Sequence, residues 1–173
     1  LLSEAKFIRA LCHYDLVNLF AHPYGYTSDN SHDGIIIKNS TDPSPLPRST
    51  VDQVYDFILS DLEYASDNLP LSNGNYATKY SADALLAHVY FQMNNLDNAL
   101  SSCNSVINSG QFTLDNDSLF LDRYRSTINS EMIFGTISTS NLDVRSSGFT
   151  NNYRSDVNDN PTLRLSLIHI SEP

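Results

Sequence analysis

Apolar residues recur along this chain at intervals of three and four, a spacing that predicts helices. The clearest case follows Thr50, where Val51, Tyr55, Ile58, Leu62, Ala65 and Leu69 form one apolar stripe. Thr50-Val51-Asp52-Gln53 fits a capping box at its start: the Thr hydroxyl accepts an unpaired backbone N–H and Gln53 reaches back. Pro70 ends the helix, because proline lacks the N–H and clashes with the preceding turn. A helical hairpin is predicted from Ser81 to Gly110. Ala84, Leu85, Ala87, Val89, Tyr90 and Met93 mark its first half, and Leu96, Ala99, Leu100, Cys103, Val106 and Ile107 its second. Asn94-Asn95 divides the halves, since Asn tolerates the left-handed backbone of a tight turn, and Gly110 stops the second helix. A first helix, about Ser3 to Phe20, is apolar on two sides. Ala5, Ile8, Cys12, Leu16 and Leu19 lie on one, and Phe7, Leu11 and Tyr14 on the other. Two apolar sides predict a helix packed between neighbours.

A lone hairpin cannot bury both its faces, so the pattern predicts stacked units of the same type. Leu62-Glu63-Tyr64-Ala65 and Leu96-Asp97-Asn98-Ala99 stand 34 residues apart, the period of tetratricopeptide repeats. The expected fold is mostly α: tetratricopeptide-like stacked helical hairpins with a long inserted loop and a short strand- and loop-rich C-terminal part. The loop runs from Ala21 to Ser49, and a connection of that length in a helical array is more often functional than incidental. Its Gly34-Ile35-Ile36-Ile37 run reads as a small strand or as an anchor onto the helices. Glu131 to Ile137 reads as a strand from its apolar and β-branched content. Residues 1–137 thus form a helical region with loop 21–49 inserted, and 138–165 a loop-rich start of a further part. Residues 166–173 resemble translated read-through of a sequencing adapter and are expected to be non-native.

Composition removes several function classes. A formal net charge of −10 argues against a nucleic-acid partner and against direct contact with an anionic membrane. No stretch reaches the length of a membrane-spanning helix. The chain opens at Leu1 in a helical pattern without an initiator Met and reads as a piece of a longer protein. Cys12 and Cys103 fall inside helices and read as small buried hydrophobes. Neither GxSxG, HExxH nor a phosphate-binding glycine loop occurs, so no enzyme, cofactor or metal is expected. His22 and His32 lack a third ligand at helpful spacing, and the Asp115, Asp117 and Asp122 run lacks the glycine of a calcium loop. His13 and His88 read as packing or surface residues. Asp61 and Glu63, two positions apart on a helix, read as solvated charges. Tyr55, Tyr80, Tyr90 and Phe91 read as core.

Sugar recognition needs flat apolar ring faces beside amides and carboxylates. Two loops offer that mixture. One holds Tyr24, Tyr26, Asp29, Asn30 and His32, and the other Asn151, Asn152, Tyr153, Arg154 and Asp156. The candidate glycan contacts are Tyr24, Tyr26, Asn30, His32, Asn152, Tyr153 and Arg154.

Four segments in order resemble the SusD/RagB family of Bacteroidetes surface lipoproteins. They are Glu4 to Leu11 with Tyr14 to Phe20; Pro47-Arg48-Ser49-Thr50-Val51 running through to Leu69-Pro70; Ala84 to Tyr90 with Ala99 and Val106-Ile107; and Glu131-Met132-Ile133-Phe134. The resemblance implies a tetratricopeptide-like scaffold carrying a ligand-contacting subdomain that would begin in 138–165. It implies a glycan-binding, non-catalytic protein held at the outer face of the outer membrane by an N-terminal lipid anchor. The implied partners are an oligosaccharide or polysaccharide and a TonB-dependent, SusC-like transporter. The lipidation segment, the family's early ligand-contacting region and its C-terminal part are not among these residues. Neither Cys12 nor Cys103 suits lipidation, and no Trp is present for a sugar platform. The alternative from another class is a repeat scaffold binding a protein or peptide. The long loop and the Glu131 strand favour the glycan reading, because a plain repeat scaffold has short, even connections.

Overall fold

The computed structural model describes residues 1–39, 41, 44–114 and 130–135. The chain divides into two compact units, Leu1–Gly135 and Thr136–Pro173, and every described residue lies in the first. Its described residues form four helices: α1 Leu2–Phe20, α2 Val51–Asn68, α3 Lys79–Gln92 and α4 Leu96–Asn108. Each packs on the next in sequence, and α1 also touches α3, as in an array of stacked helical hairpins.

Local chemistry sets the helix ends. Both halves of the Thr50/Gln53 capping box form, at 3.1 and 3.3 Å. A second box, Thr78 with Ser81, starts α3. Leu69, ahead of Pro70, is extended at ψ 145° and closes α2, since the proline ring excludes the helical region for the residue before it. Asn94 is left-handed at φ 59° and Gly110 at φ 64°. The 34-residue offset does not superpose whole helices: it sets Leu62, midway along α2, on Leu96, the first residue of α4. The loop from Leu71 to Thr78 separates α2 from α3, whereas a tight turn joins α3 to α4, so the connections do not repeat.

The core forms where α1, α2 and α3 meet, with Phe7, Val51, Val54, Tyr55, Ile58, Leu62 and Val89 fully buried. Each such large side chain contributes roughly 1.5–3 kcal/mol by leaving water. Polar groups also tie the helices to one another. Asp61, 1% exposed, accepts from Lys6 Nζ at 2.7 Å and from Arg9 Nε and Nη2 at 2.7 and 2.9 Å. Asp83 accepts from the hydroxyls of Ser66 on α2 and Ser105 on α4. Glu63 accepts from the Tyr90 phenol at 2.8 Å. Asp61 is therefore a buried inter-helix partner and not a solvated charge, whereas Glu63 stays exposed while its carboxylate reaches Tyr90 on α3. The neighbour that gives each its role is distant in sequence.

Several faces are bare. On α1 only Phe7, Ala10, His13 and Val17 are buried, while Ile8, Leu16 and Leu19 are 42%, 41% and 74% exposed. Cys12 and Cys103 are both exposed, as is Phe91 at 70%. His13 takes an inward position: Nδ1 donates to Arg9 O at 2.7 Å and Nε2 accepts from Lys38 N at 3.3 Å.

The expected strand does not form over Glu131–Gly135; Thr136 and Ile137 lie outside the described residues. A strand needs a continuing ladder, and beside this stretch Thr113 N donates to Ser130 O at 3.0 Å without a ladder following among the described residues. Instead Phe134 sets its ring edge-on to Phe7 at 5.0 Å, and Ile133 O accepts from Ser81 Oγ at 3.3 Å. The isoleucine run serves as an anchor. Ile35 joins the core at 8% exposure, and pairing beside it is limited to one bridge, Asp33 with Thr50.

Candidate functional site

Loop 21–49 is folded back onto the start of α2 and the end of α1. Backbone N–H groups at the first turn of α2, which have no partner inside the helix, are taken up by the loop. Val51 N donates to His32 O at 3.0 Å and Asp52 N to Asn30 O at 3.1 Å. Gly34 N donates to Ser49 O at 2.8 Å and Ser49 N to Ile35 O at 2.9 Å. Arg48 clamps the return: Nε donates to Gly34 O at 2.7 Å, and Nη2 to Phe20 O, an unpaired carbonyl at the end of α1, at 2.9 Å.

Gly34 is required by this close approach. A Cβ there would lie 2.9 Å from Ser49 O and 3.0 Å from Val51 N, and backbone atoms cannot swing aside as a side chain does. Gly34→Ala is expected to destabilise the chain by about 1–3 kcal/mol, the usual range for overpacking. The shift of the urea midpoint measures it; an unchanged midpoint would show that the loop is not held this way.

Within the loop, Pro23 to Tyr26 make a turn with Tyr26 N donating to Pro23 O at 3.1 Å and Gly25 at φ 85°. Asn30, left-handed at φ 52° and 7% exposed, accepts from Gly25 N through Oδ1 at 2.6 Å. Tyr24 is half-buried, with its ring 4.8 Å from that of Tyr55. Burial, then the charges of Asp52 and Asp56, push its phenol upward. Asp29 is exposed and held below the ordinary carboxylate range by hydrogen bonds from Ser31.

The outward surface is aromatic. His22 and Tyr26 stack at 4.2 Å and 9°, and the Tyr26 ring meets His32 at 5.4 Å and 66°. Tyr26 is 60% exposed, so much of its ring is open to a ligand. His32 Nε2 donates to His22 O at 3.2 Å, which leaves Nδ1 to accept from Thr27 Oγ1 at 2.9 Å. Both ring nitrogens of His32 are thereby engaged within the loop. Among the described residues no group of three metal-ligating side chains gathers.

Of the sequence candidates, Tyr24, Tyr26, Asn30 and His32 come together in this loop. Tyr26 and His32 face outward, whereas Tyr24 and Asn30 turn inward and shape the loop. Asn152, Tyr153 and Arg154 lie outside the described residues. His22 was legible in sequence only as a loop histidine; its stacking on Tyr26 depends on the Pro23–Tyr26 turn, whose one sequence signal is the Pro23/Gly25 pair.

Residues 1–91 match a SusD-like family model described as starch-binding and associating with the outer membrane. A SusD-like protein of Formosa agariphila is 28% identical over 138 residues, which is 78% of this chain and 25% of that protein. The chain thus spans about a quarter of the length of that relative. The crystal structure of a SusD superfamily protein from Bacteroides thetaiotaomicron aligns with TM-score 0.70 at 33% identity, over 76% of this chain and 30% of that one. A laminarin-binding SusD-like protein shares the fold, with TM-score 0.60 and 24% identity over 76% of this chain and 29% of its own. The family model takes in 91 of the 173 residues, including α1, the loop clamped by Arg48 and the capped start of α2, and the chain belongs to the SusD-like family.

Proposed function

We propose that the full-length protein binds an oligosaccharide or polysaccharide at the cell surface and delivers it, uncleaved, to a TonB-dependent, SusC-like transporter. The observation that carries the glycan reading is the stacked, outward-facing His22–Tyr26 pair with His32 at its edge, held on a loop locked by Arg48 and Gly34. Flat rings of this kind stack on the apolar faces of pyranoses, and the exposed Asp29 carboxylate of the same loop can accept from hydroxyls. Asn152, Tyr153 and Arg154 are proposed contacts on the same chemical ground. The starch-binding, outer-membrane-associating character of the matched family model supports both the glycan class and the outer-membrane setting. No described helix is long and apolar enough to cross a membrane.

Affinity electrophoresis of the full-length protein in native gels, each containing one purified polysaccharide with soluble starch first, tests the reading. The expected result is retardation by at least one polysaccharide. Tyr26→Ala should weaken the dissociation constant about tenfold, the scale of one lost ring-stacking contact. The urea midpoint should hold, because the Tyr26 ring is mostly exposed. No retardation by any polysaccharide, together with tight binding of a peptide, would replace this reading with that of a protein-binding repeat scaffold.

A further inference from the structure

The ring platform of loop 21–49 is bordered by carboxylates. The Thr27 hydroxyl interacts both with the Asp29 carboxylate and with His32 Nδ1, the latter at 2.9 Å, so Asp29 stands close to the His32 ring. Asp33 directly follows His32. Asp52 and Asp56, in the first two turns of α2, act by their charges on the phenol of Tyr24, which shares its turn with Tyr26. All four acids are exposed, and none forms a salt bridge among the described residues. The described cations are placed elsewhere. Lys6 and Arg9 bind Asp61, and Lys79 lies 3.4 Å from Asp83. Arg48 spends its guanidinium on the backbone carbonyls of Gly34 and Phe20. Lys38 is tethered through its N–H to His13, about two turns before the end of α1. One guanidinium thus stands against four carboxylates around the rings, and the chain's net charge of −10 adds to their field.

We infer that the loop site selects uncharged polysaccharides and turns away those bearing uronate or sulfate groups, through the carboxylates of Asp29, Asp33, Asp52 and Asp56. The inference rests on the glycan reading of this site and adds a rule of selection to it. Aromatic stacking by itself accepts any pyranose with an apolar face, charged or not. Discrimination between such ligands needs a repulsive element as well as an attractive one, and the four unneutralised acids supply it. A neutral sugar loses nothing to them and can donate its hydroxyls to Asp29. A polyanion meets like charge at each repeat laid along the rings.

The test runs affinity gels of the full-length protein on two forms of one polymer: soluble starch, and starch with part of its C6 hydroxyls oxidised to carboxylates. Laminarin and alginate are run beside them, and where another neutral polymer retards better than starch, its own C6-oxidised form is paired with it. At low salt, about 0.01 M, the oxidised form is expected to bind on the order of tenfold more weakly, the effect of several like charges facing each other across water. At about 1 M salt the screening length falls from about 30 Å to about 3 Å, and the gap should close to within about threefold. The double variant Asp33→Asn with Asp56→Asn removes two charges without touching the rings. It should narrow the low-salt gap to about threefold and leave starch retardation unchanged. Equal retardation by both forms at low salt, or retardation by alginate alone, would overturn the charge selection and leave the glycan reading standing. A gap that neither salt nor the double variant alters would also overturn it, since the lost hydroxyl would then explain the difference. Retardation by no polymer at all would remove the glycan reading, and the selection with it.

Discussion

Asp61→Asn is expected to destabilise the chain by roughly 3 kcal/mol, the lower end for removing one partner of a buried ion pair. The lower end applies because Lys6 and Arg9 keep 23% and 32% of their side chains exposed and so recover some hydration when the carboxylate is lost. Asp61 itself is almost fully enclosed between α1 and α2. Burial pushes its carboxyl up, but hydrogen bonds from Arg9 and Lys6 and their charges outweigh this and hold it below the usual carboxylate value. A lowered folded value means that the pairing stabilises fully above the unfolded carboxyl range, about pH 4. The contribution is then lost as pH falls through the folded value. Urea unfolding at pH 7 should show the full difference between wild type and Asp61→Asn, and the two midpoints should converge below about pH 4. A difference constant down to pH 3 would mean that the carboxylate charge is not what joins the helices.

Tyr55→Ala is expected to cost about 4 kcal/mol, the scale of truncating a buried aromatic ring. Against a typical domain stability of roughly 5–15 kcal/mol this is a large share. Tyr55 is 1% exposed at the centre of the core, and Tyr24 of the loop packs its ring on it. The loss should therefore reach the site. Glycan affinity of the folded fraction should fall as well, because Tyr24 no longer has a surface that holds the turn carrying Tyr26. Val89→Ala is the control: it opens a cavity on α3, where Val89 is fully buried, without touching Tyr24. It should lower the urea midpoint and leave glycan affinity per folded molecule unchanged. If both variants bind alike, Tyr55 supports stability alone.

Much was legible from one chain because it rests on local chemistry. The periodic apolar stripe of α2, the Thr50/Gln53 box, the stop at Pro70 and the left-handed Asn94 and Gly110 all depend on residues within a few positions of each other. The family was legible too, from motifs of which those before residue 91 lie within the segment that the family model matches. What the sequence determined by itself is therefore the helices, their ends and the segment that departs from them. Tertiary structure alone decided which faces are covered. Periodicity reports that a residue is apolar, not that a partner exists, so Cys12, Leu16, Phe91 and Leu100 read as core yet stand exposed. It likewise decided that Asp61 is buried against Lys6 and Arg9, that Ile133 and Phe134 pack on Ser81 and Phe7 and not in a sheet, and that His22 lies flat on Tyr26. Each of these rests on contact between segments whose meeting depends on the packing of whole helices, and no local pattern encodes that distance.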